Sequence, residues 1–257
     1  VPMGCVIAVA SGKGGTGKTS FCANVGVALC ALGEKVLLID ADAGLRSLDL
    51  VLGMTDSLLF SYGDVIQGTA GLKEAAVPHP QIKSLRVLTA PGQPGVGEVY
   101  DPRDVAALLS RVRAHFTYTL VDCAAGLGQD VLSFAAAADR AVIVSTSDYT
   151  ALRGAQSTAA VFGRIGQENC AIVVNRLRPG MIRAGAAANI DRAMDTAGLS
   201  LLGTVPEDES VIACGNRGSI LPLEHYGPAA QAYLNIAKRL QGKRVRLLDQ
   251  VPGKWSR

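Results

Sequence analysis

Aromatic residues are scarce, at 5% of a 257-residue chain. A core with few rings must be filled by Ala, Val, Leu and Ile and packed closely, helped by the 29 glycines. Histidine is nearly absent, and His79, His115 and His225 stand alone, which argues against a histidine-rich metal centre. The six cysteines are Cys5, Cys22, Cys30, Cys123, Cys170 and Cys214, without a C-x-x-C pair. Most lie in apolar stretches and read as buried thiols rather than metal ligands or disulfide partners. Val1-Pro2-Met3-Gly4 lacks the basic segment and apolar core of a secretory leader. No uncharged apolar run reaches the ~20 residues of a spanning helix. The cytosol is the expected compartment. The net charge of +3 is too small to imply nucleic-acid binding without a local basic patch.

What the chain does contain is organised by one stretch, Gly12-Lys13-Gly14-Gly15-Thr16-Gly17-Lys18-Thr19. It follows the apolar run Cys5–Ala10 and precedes a helical pattern from Ser20 to about Leu32. This fits the phosphate-loop pattern G-x-x-x-x-G-K-[ST] in its strand–loop–helix context. The glycines let main-chain N–H groups approach phosphate oxygens, and the helix start at Ser20 adds more donors and a positive dipole end. Lys18 can reach the β and γ phosphates, and the Thr19 hydroxyl can hold Mg²⁺. A plain glycine-rich turn would not need that lysine and threonine in order.

Two carboxylate positions follow at strand ends. Lys35–Asp40 reads as a second buried strand, ending in Asp40-Ala41-Asp42-Ala43-Gly44. Ligands of open α/β sheets bind outside such carboxyl ends. Asp40 can support Mg²⁺ through water and Asp42 can orient an attacking water, against the alternative of two solvated turn carboxylates. Tyr118–Asp122 is a further strand whose terminal Asp122 is the expected Walker B carboxylate. Gly126 can bring its main chain to the γ phosphate. Cys123 has no base near it in sequence and is not read as a nucleophile.

The remaining pattern alternates strands and helices. A short helix is expected over 45–52, two weaker ones within 57–76, and a strand over 85–89. A flexible loop over 90–95 precedes a helix over 102–116, with Pro102 in its first turn and Ala106, Leu109, Val112 and Phe116 on its apolar side. Helices over 129–138, 151–162, 186–196 and 227–241 alternate with strands over 140–145, 171–176 and 201–205. The segment 181–183 is ambiguous, and 215–218 reads as a turn. Asn175, at a strand end, can recognise a base edge with its amide or serve as a turn amide. Pro206-Glu207-Asp208 can line a base pocket through main-chain groups. The order implies a single-domain α/β P-loop fold over 1–241, with a mostly parallel central sheet flanked by helices, and a basic tail over 242–257.

On these residues the chain resembles the MinD/ParA family of deviant Walker A ATPases, and within it the septum-site-determining members. Lys13–Thr19 matches the family signature, including the extra lysine before the paired glycines. Leu37–Asp49 looks like its first switch and Val121–Gly126 its second, while Val174-Asn175-Arg176 and Val205–Glu209 extend the match. The resemblance implies Mg²⁺-dependent ATP hydrolysis to ADP, slow and partner-stimulated, in an ATP-dependent face-to-face homodimer. It implies that Lys13 reaches the nucleotide across the dimer, that Asp42 positions the water, that Asp40 and Asp122 support the ion, and that Asn175 contacts adenine. It also implies a division inhibitor and an ATPase-stimulating protein as partners. The sequence departs from the family at Cys123-Ala124, where Ser-Pro is common.

The tail is where partners other than protein enter. Leu240, Leu247, Leu248 and Val251 have helical spacing among basic residues, which suits peripheral binding to the inner face of an anionic membrane. Gly242 and Pro252 limit that helix and Trp255 lies beyond it, so a solvated basic end is the competing reading. A nucleotide-binding scaffold without useful turnover is one alternative function. A DNA- or flagellum-positioning ATPase is another, although Arg178 and Arg183 make no basic stripe.

Overall fold

A computed structural model of the chain describes residues 3–55, 57–92, 100–221 and 227–247. Eight strands form one sheet: β1 (Cys5–Ala10), β2 (Val36–Ala41), β3 (Val77–Pro78), β4 (Leu85–Leu88), β5 (Tyr118–Cys123), β6 (Arg140–Ser145), β7 (Cys170–Leu177) and β8 (Ser200–Pro206). Their order is β3-β4-β2-β5-β1-β6-β7-β8. Every pairing is parallel except β3 with β4. The single-domain, mostly parallel α/β architecture expected from the sequence is therefore present. The helices among the described residues are α1 (Lys18–Ala31), α2 (Leu48–Val51), α3 (Tyr62–Gln67), α4 (Leu72–Ala75), α5 (Pro102–Arg113), α6 (Gln129–Ala137), α7 (Tyr149–Arg164), α8 (Pro179–Arg183), α9 (Ile190–Ala197), α10 (Glu209–Asn216) and α11 (Pro228–Leu240).

The strand runs are continuously apolar because both faces of the sheet are covered. In β1 the side chains alternate. Ile7 and Val9 pack into one core with α1 and α11, while Val6, Ala8 and Ala10 pack into another with α3, α5 and α6. A third core joins β6 and β7 to α7 and α9 through Ile143, Leu152, Ile172 and Ala193. Helix α1 is buried over nearly its whole length, including Phe21, Val25 and Leu29, and is accordingly apolar on all sides.

The departures from the sequence reading have local causes. α1 starts at Lys18, two residues early, because Gly17 in the left-handed region (φ 92°) serves as its N-cap. The helix expected over 45–52 is only Leu48–Val51, since Asp42 to Ser47 are engaged in turns. In α5 the apolar side runs through Val105, Leu108, Leu109 and Val112, and Ala106 is exposed. The helix Glu209–Asn216 ahead of the expected turn is capped by the Asp208 carboxylate, which accepts from the Ser210 N–H. β3 is only two residues long and contains a proline, so period-two alternation could not reveal it. Of the expected 90–95 loop, 93–95 lie outside the described residues, as do His225, Leu248, Val251, Pro252 and Trp255.

Candidate functional site: a phosphate loop at the sheet's switch point

β1 lies between β5 and β6, and the crossovers leave it in opposite directions, so the ends of β1, β2 and β5 border a topological switch point. The phosphate loop leaves β1 there. Gly15 and Gly17 both have positive φ, 77° and 92°, and no side chain caps the first turn of α1. Its leading N–H groups are thereby left for an anion, which the helix dipole also favours. Gly12 is required for a different reason: a Cβ there would overlap the Gly154 carbonyl in α7. The exposed Gly14, Lys13 and Gly15 form the outer rim of the loop, and Thr16 is buried beneath them.

Lys18 is buried, and its Nζ donates to Ser11 Oγ at 2.9 Å. Ser11 Oγ in turn donates to the Lys13 carbonyl at 2.7 Å. Ser11 thus holds the ammonium inside the loop, a role not evident from the motif alone. Gly126, also at positive φ (92°), donates its N–H to the Ser11 carbonyl at 3.2 Å. Ser20 lies half-buried in the first turn of α1, and its carbonyl accepts from Asn24 Nδ2 at 2.7 Å.

The carboxylates meet as their strand positions require. Asp40 and Asp122 are register partners on adjacent strands. Asp40 accepts from the N–H groups of Asp42 and Leu48, each at 3.0 Å. Burial raises its pKa to about 6, those two hydrogen bonds pull it down, and the nearby Asp42 and Asp49 charges push it up again. Burial pushes Asp122 up to about 7, against the pull of Thr19, with the Asp40 charge raising it further. Asp122 Oδ1 is buried without a hydrogen-bond partner. Thr19 Oγ1 lies 3.3 Å from Ser47 Oγ. An orphaned buried carboxylate oxygen beside a threonine hydroxyl fits a hard cation. No group of three or more His, Cys, Asp or Glu able to hold a metal occurs among the described residues.

These shifts carry a sign. A carboxylate with a raised folded pKa binds protons that the unfolded chain has released, so its contribution to stability falls as pH rises between the two values. Without nucleotide and Mg²⁺, stability is expected to decline from about pH 4 to about pH 7 through Asp40 and Asp122. The decline is isolated by comparing urea midpoints at pH 5 and pH 8 with those of Asp122→Asn. The variant should show the smaller difference. An equal difference in both proteins would refute this assignment.

Asn175 is buried at the end of β7 and donates from Nδ2 to the Thr16 carbonyl at 2.8 Å. It braces the phosphate loop from below, and a Cβ on Gly17 would collide with its amide. Asn175→Ala leaves that carbonyl unpaired and is expected to cost about 1–3 kcal/mol in urea unfolding. Nucleotide affinity should weaken with it. Pro206 ends β8, the Glu207 N–H donates to the Leu177 carbonyl at 3.0 Å, and Glu207 forms an ion pair with Arg178. Asp208 is occupied in capping α10. Asp148, missed by the sequence reading, caps α7 by accepting from the Ala151 N–H at 2.9 Å; burial pushes its pKa up, but the hydrogen bonds from Thr146 and Ala151, helped by the Lys13 charge, bring it below the usual carboxylate value.

Known proteins resemble the chain over nearly its whole length. The profile of the CobQ/CobB/MinD/ParA nucleotide binding domain matches residues 7–221. The septum site-determining protein MinD of Thermotoga maritima is 35% identical over 247 residues, covering 95% of this chain and 91% of the relative. A MinC:MinD cell division protein complex from Aquifex aeolicus superposes with a TM-score of 0.89 at 32% identity, covering 95% of this chain and 98% of that one. Pyrococcus horikoshii MinD complexed with Mg-ADP gives 0.83 at 28% identity, covering 93% and 96%.

Proposed function

The chain belongs to the CobQ/CobB/MinD/ParA nucleotide-binding family, and we propose that it is the ATPase switch of a septum-site-determining system, closing on a second copy of itself around ATP. It is an ATPase of the MinD type, acting in septum-site determination and using nucleotide and Mg²⁺. The observation that carries the reading is the Asp40–Asp122 register pair set against Thr19 and Lys18 at the end of the phosphate loop.

The chain's own groups divide the work. The loop N–H groups from Gly12 to Ser20 cradle the phosphates. Lys18, released from Ser11, follows the charge on the β and γ phosphates. Asp42 orients water in line with the γ phosphate. Gly126 answers the γ phosphate with its N–H, exchanging the Ser11 carbonyl for a phosphate oxygen. Mg²⁺ would be held by Thr19 directly and by Asp40 and Asp122 through water, and when bound it neutralises phosphate charge. Asn175, besides bracing Thr16, would contact adenine, and Pro206-Glu207-Asp208 would line the base pocket through main-chain groups. Lys13, exposed on the loop, reaches the nucleotide of the second copy.

A division inhibitor is the partner that the MinC:MinD likeness supports. An ATPase-stimulating protein and a peripheral membrane site complete the cycle, with 1–241 as the ATPase unit and 242–257 as the attachment segment. The tail begins where Gly242 (φ 81°) ends α11, and Arg239 donates to the Val245 carbonyl at 2.6 Å. No helix among the described residues is long and apolar enough to cross a membrane. The pairing of Arg178 with Glu207 favours division over DNA, since it removes one of the two arginines a DNA face would use.

Phosphate release by the full-length protein tests the enzyme reading. Release is expected to require ATP and Mg²⁺ together and to be slow without a partner. Absence of ATP-dependent release in the presence of every candidate partner and of anionic vesicles would leave a nucleotide-binding scaffold instead.

A further inference from the structure

Parallel strands give the sheet two distinct edges, and the one opposite the phosphate loop carries a second cavity. It encloses about 490 Å³. Its floor includes Leu72 and Phe116, and its walls carry Lys35, Lys73, Lys83 and Arg86, with no carboxylate in the lining among the described residues. Glu34 and Glu74, adjacent in sequence to two of these lysines, lie outside the lining, and Glu34 is bonded to Gln241 Nε2 at 2.6 Å. The cavity is built on the rigid entries to three strands. The Val36 N–H donates to the Ser84 carbonyl at 2.9 Å, and the Thr117 N–H donates to the Lys35 carbonyl at 2.9 Å. Arg86 is fixed by donating to the Ala76 carbonyl at 2.7 Å. Lys35, Lys73 and Lys83 are exposed.

The tail leaves the fold at the same edge. The Leu240 carbonyl at the end of α11 accepts from Tyr118 Oη at 3.3 Å, and Gln241 is bonded to Glu34, beside Lys35. The chain then carries Lys243, Arg244 and Arg246. Cations around an apolar floor suit a ligand that is anionic at one end and apolar at the other, and basic groups near an anionic leaflet are each worth several-fold in binding. A free phosphate would leave the floor unused.

We propose that this cavity takes up an anionic phospholipid, its phosphate on the surrounding cations and the start of an acyl chain on the apolar floor, so that the folded body meets a membrane by the edge from which the tail emerges. The inference extends the membrane reading above but places a site in the body that does not depend on the tail. ATP and lipid would then occupy opposite ends of the same strands, without competing.

The test uses the full chain, Lys35→Gln/Lys83→Gln in the body, and Leu247→Glu in the tail. ATP turnover without lipid serves as the folding control. Binding is measured to phosphatidylcholine vesicles with and without phosphatidylglycerol, to monomeric short-chain phosphatidylglycerol, and to inorganic phosphate. The body variant is expected to bind anionic vesicles about 25-fold more weakly, about fivefold per lysine. It should also lose the short-chain lipid, which Leu247→Glu keeps. If the body variant matches the wild type while Leu247→Glu alone releases the vesicles, the tail reading stands and the cavity falls. The reverse pattern supports the cavity and removes the tail. Inorganic phosphate binding as tightly as the short-chain lipid would overturn the lipid assignment.

Discussion

Asp42→Ala is expected to lower kcat for ATP about 100- to 1,000-fold while leaving nucleotide affinity within a few-fold. The contrast follows from how the two neighbouring carboxylates are held. Asp40 is fixed by the main-chain N–H groups of Asp42 and Leu48, and these survive removal of the Asp42 side chain. Asp42 itself is half-exposed, and its Oδ1 accepts from the Leu45 N–H at 3.1 Å. On the proposed roles, its loss removes the group that orients water and leaves the ion and phosphate contacts in place. Asp40→Ala should do the opposite, leaving two N–H groups without their acceptor and weakening Mg²⁺-nucleotide binding itself. Phosphate release and fluorescent-nucleotide titration on both variants check the division. Loss of nucleotide binding in Asp42→Ala would contradict it.

The second large effect is asymmetric. Gly12 and Gly154 face each other where the phosphate loop meets α7, yet they are not equivalent. A Cβ on Gly12 would overlap the Gly154 carbonyl, whereas a Cβ on Gly154 would stand 3.3 Å from Gly12 Cα. Both obstacles are main chain, which cannot rotate aside as a side chain can. Gly12→Ala is therefore expected to displace the loop, cost about 2–3 kcal/mol in urea unfolding and weaken nucleotide binding more than 100-fold. Gly154→Ala needs a shift of only tenths of an ångström and gains about 0.5–1 kcal/mol of helix propensity. Its stability and affinity should stay near wild type. Equal effects from the two substitutions would remove the close approach as the reason for Gly12.

The phosphate loop, Asp40 and Asp122 were legible in the sequence because their function is tied to strand ends, and strand ends follow from continuous apolar runs. Lys18 and Thr19 were legible because the motif fixes their offset. The supports were not. Ser47 and Gly154 act through contacts across the fold, and no local pattern marks a residue by what a distant segment places against it; Ser11 bonds locally to Lys13 and Lys18, but it stands just outside the motif. Asn175 shows the intermediate case. Its place at the end of β7 was readable, while its bond to Thr16 spans 159 positions in the chain. The basic cavity has the same origin. Lys35, Lys73, Lys83 and Arg86 are scattered singly in sequence and share a site because β2 and β4 are neighbours and α4 lies beside them.

The central claim is that these residues form half of a nucleotide-gated pair. Lys13 is exposed on the loop rim, where a second copy can receive it. The most direct measurement is the solution mass of Asp42→Ala with Mg²⁺-ATP and with Mg²⁺-ADP, alone and combined with Lys13→Ala. A dimer is predicted with ATP only, reverting to monomer when Lys13 is also replaced. The same mass with ATP and ADP, or an ATP dimer indifferent to Lys13, would contradict the account.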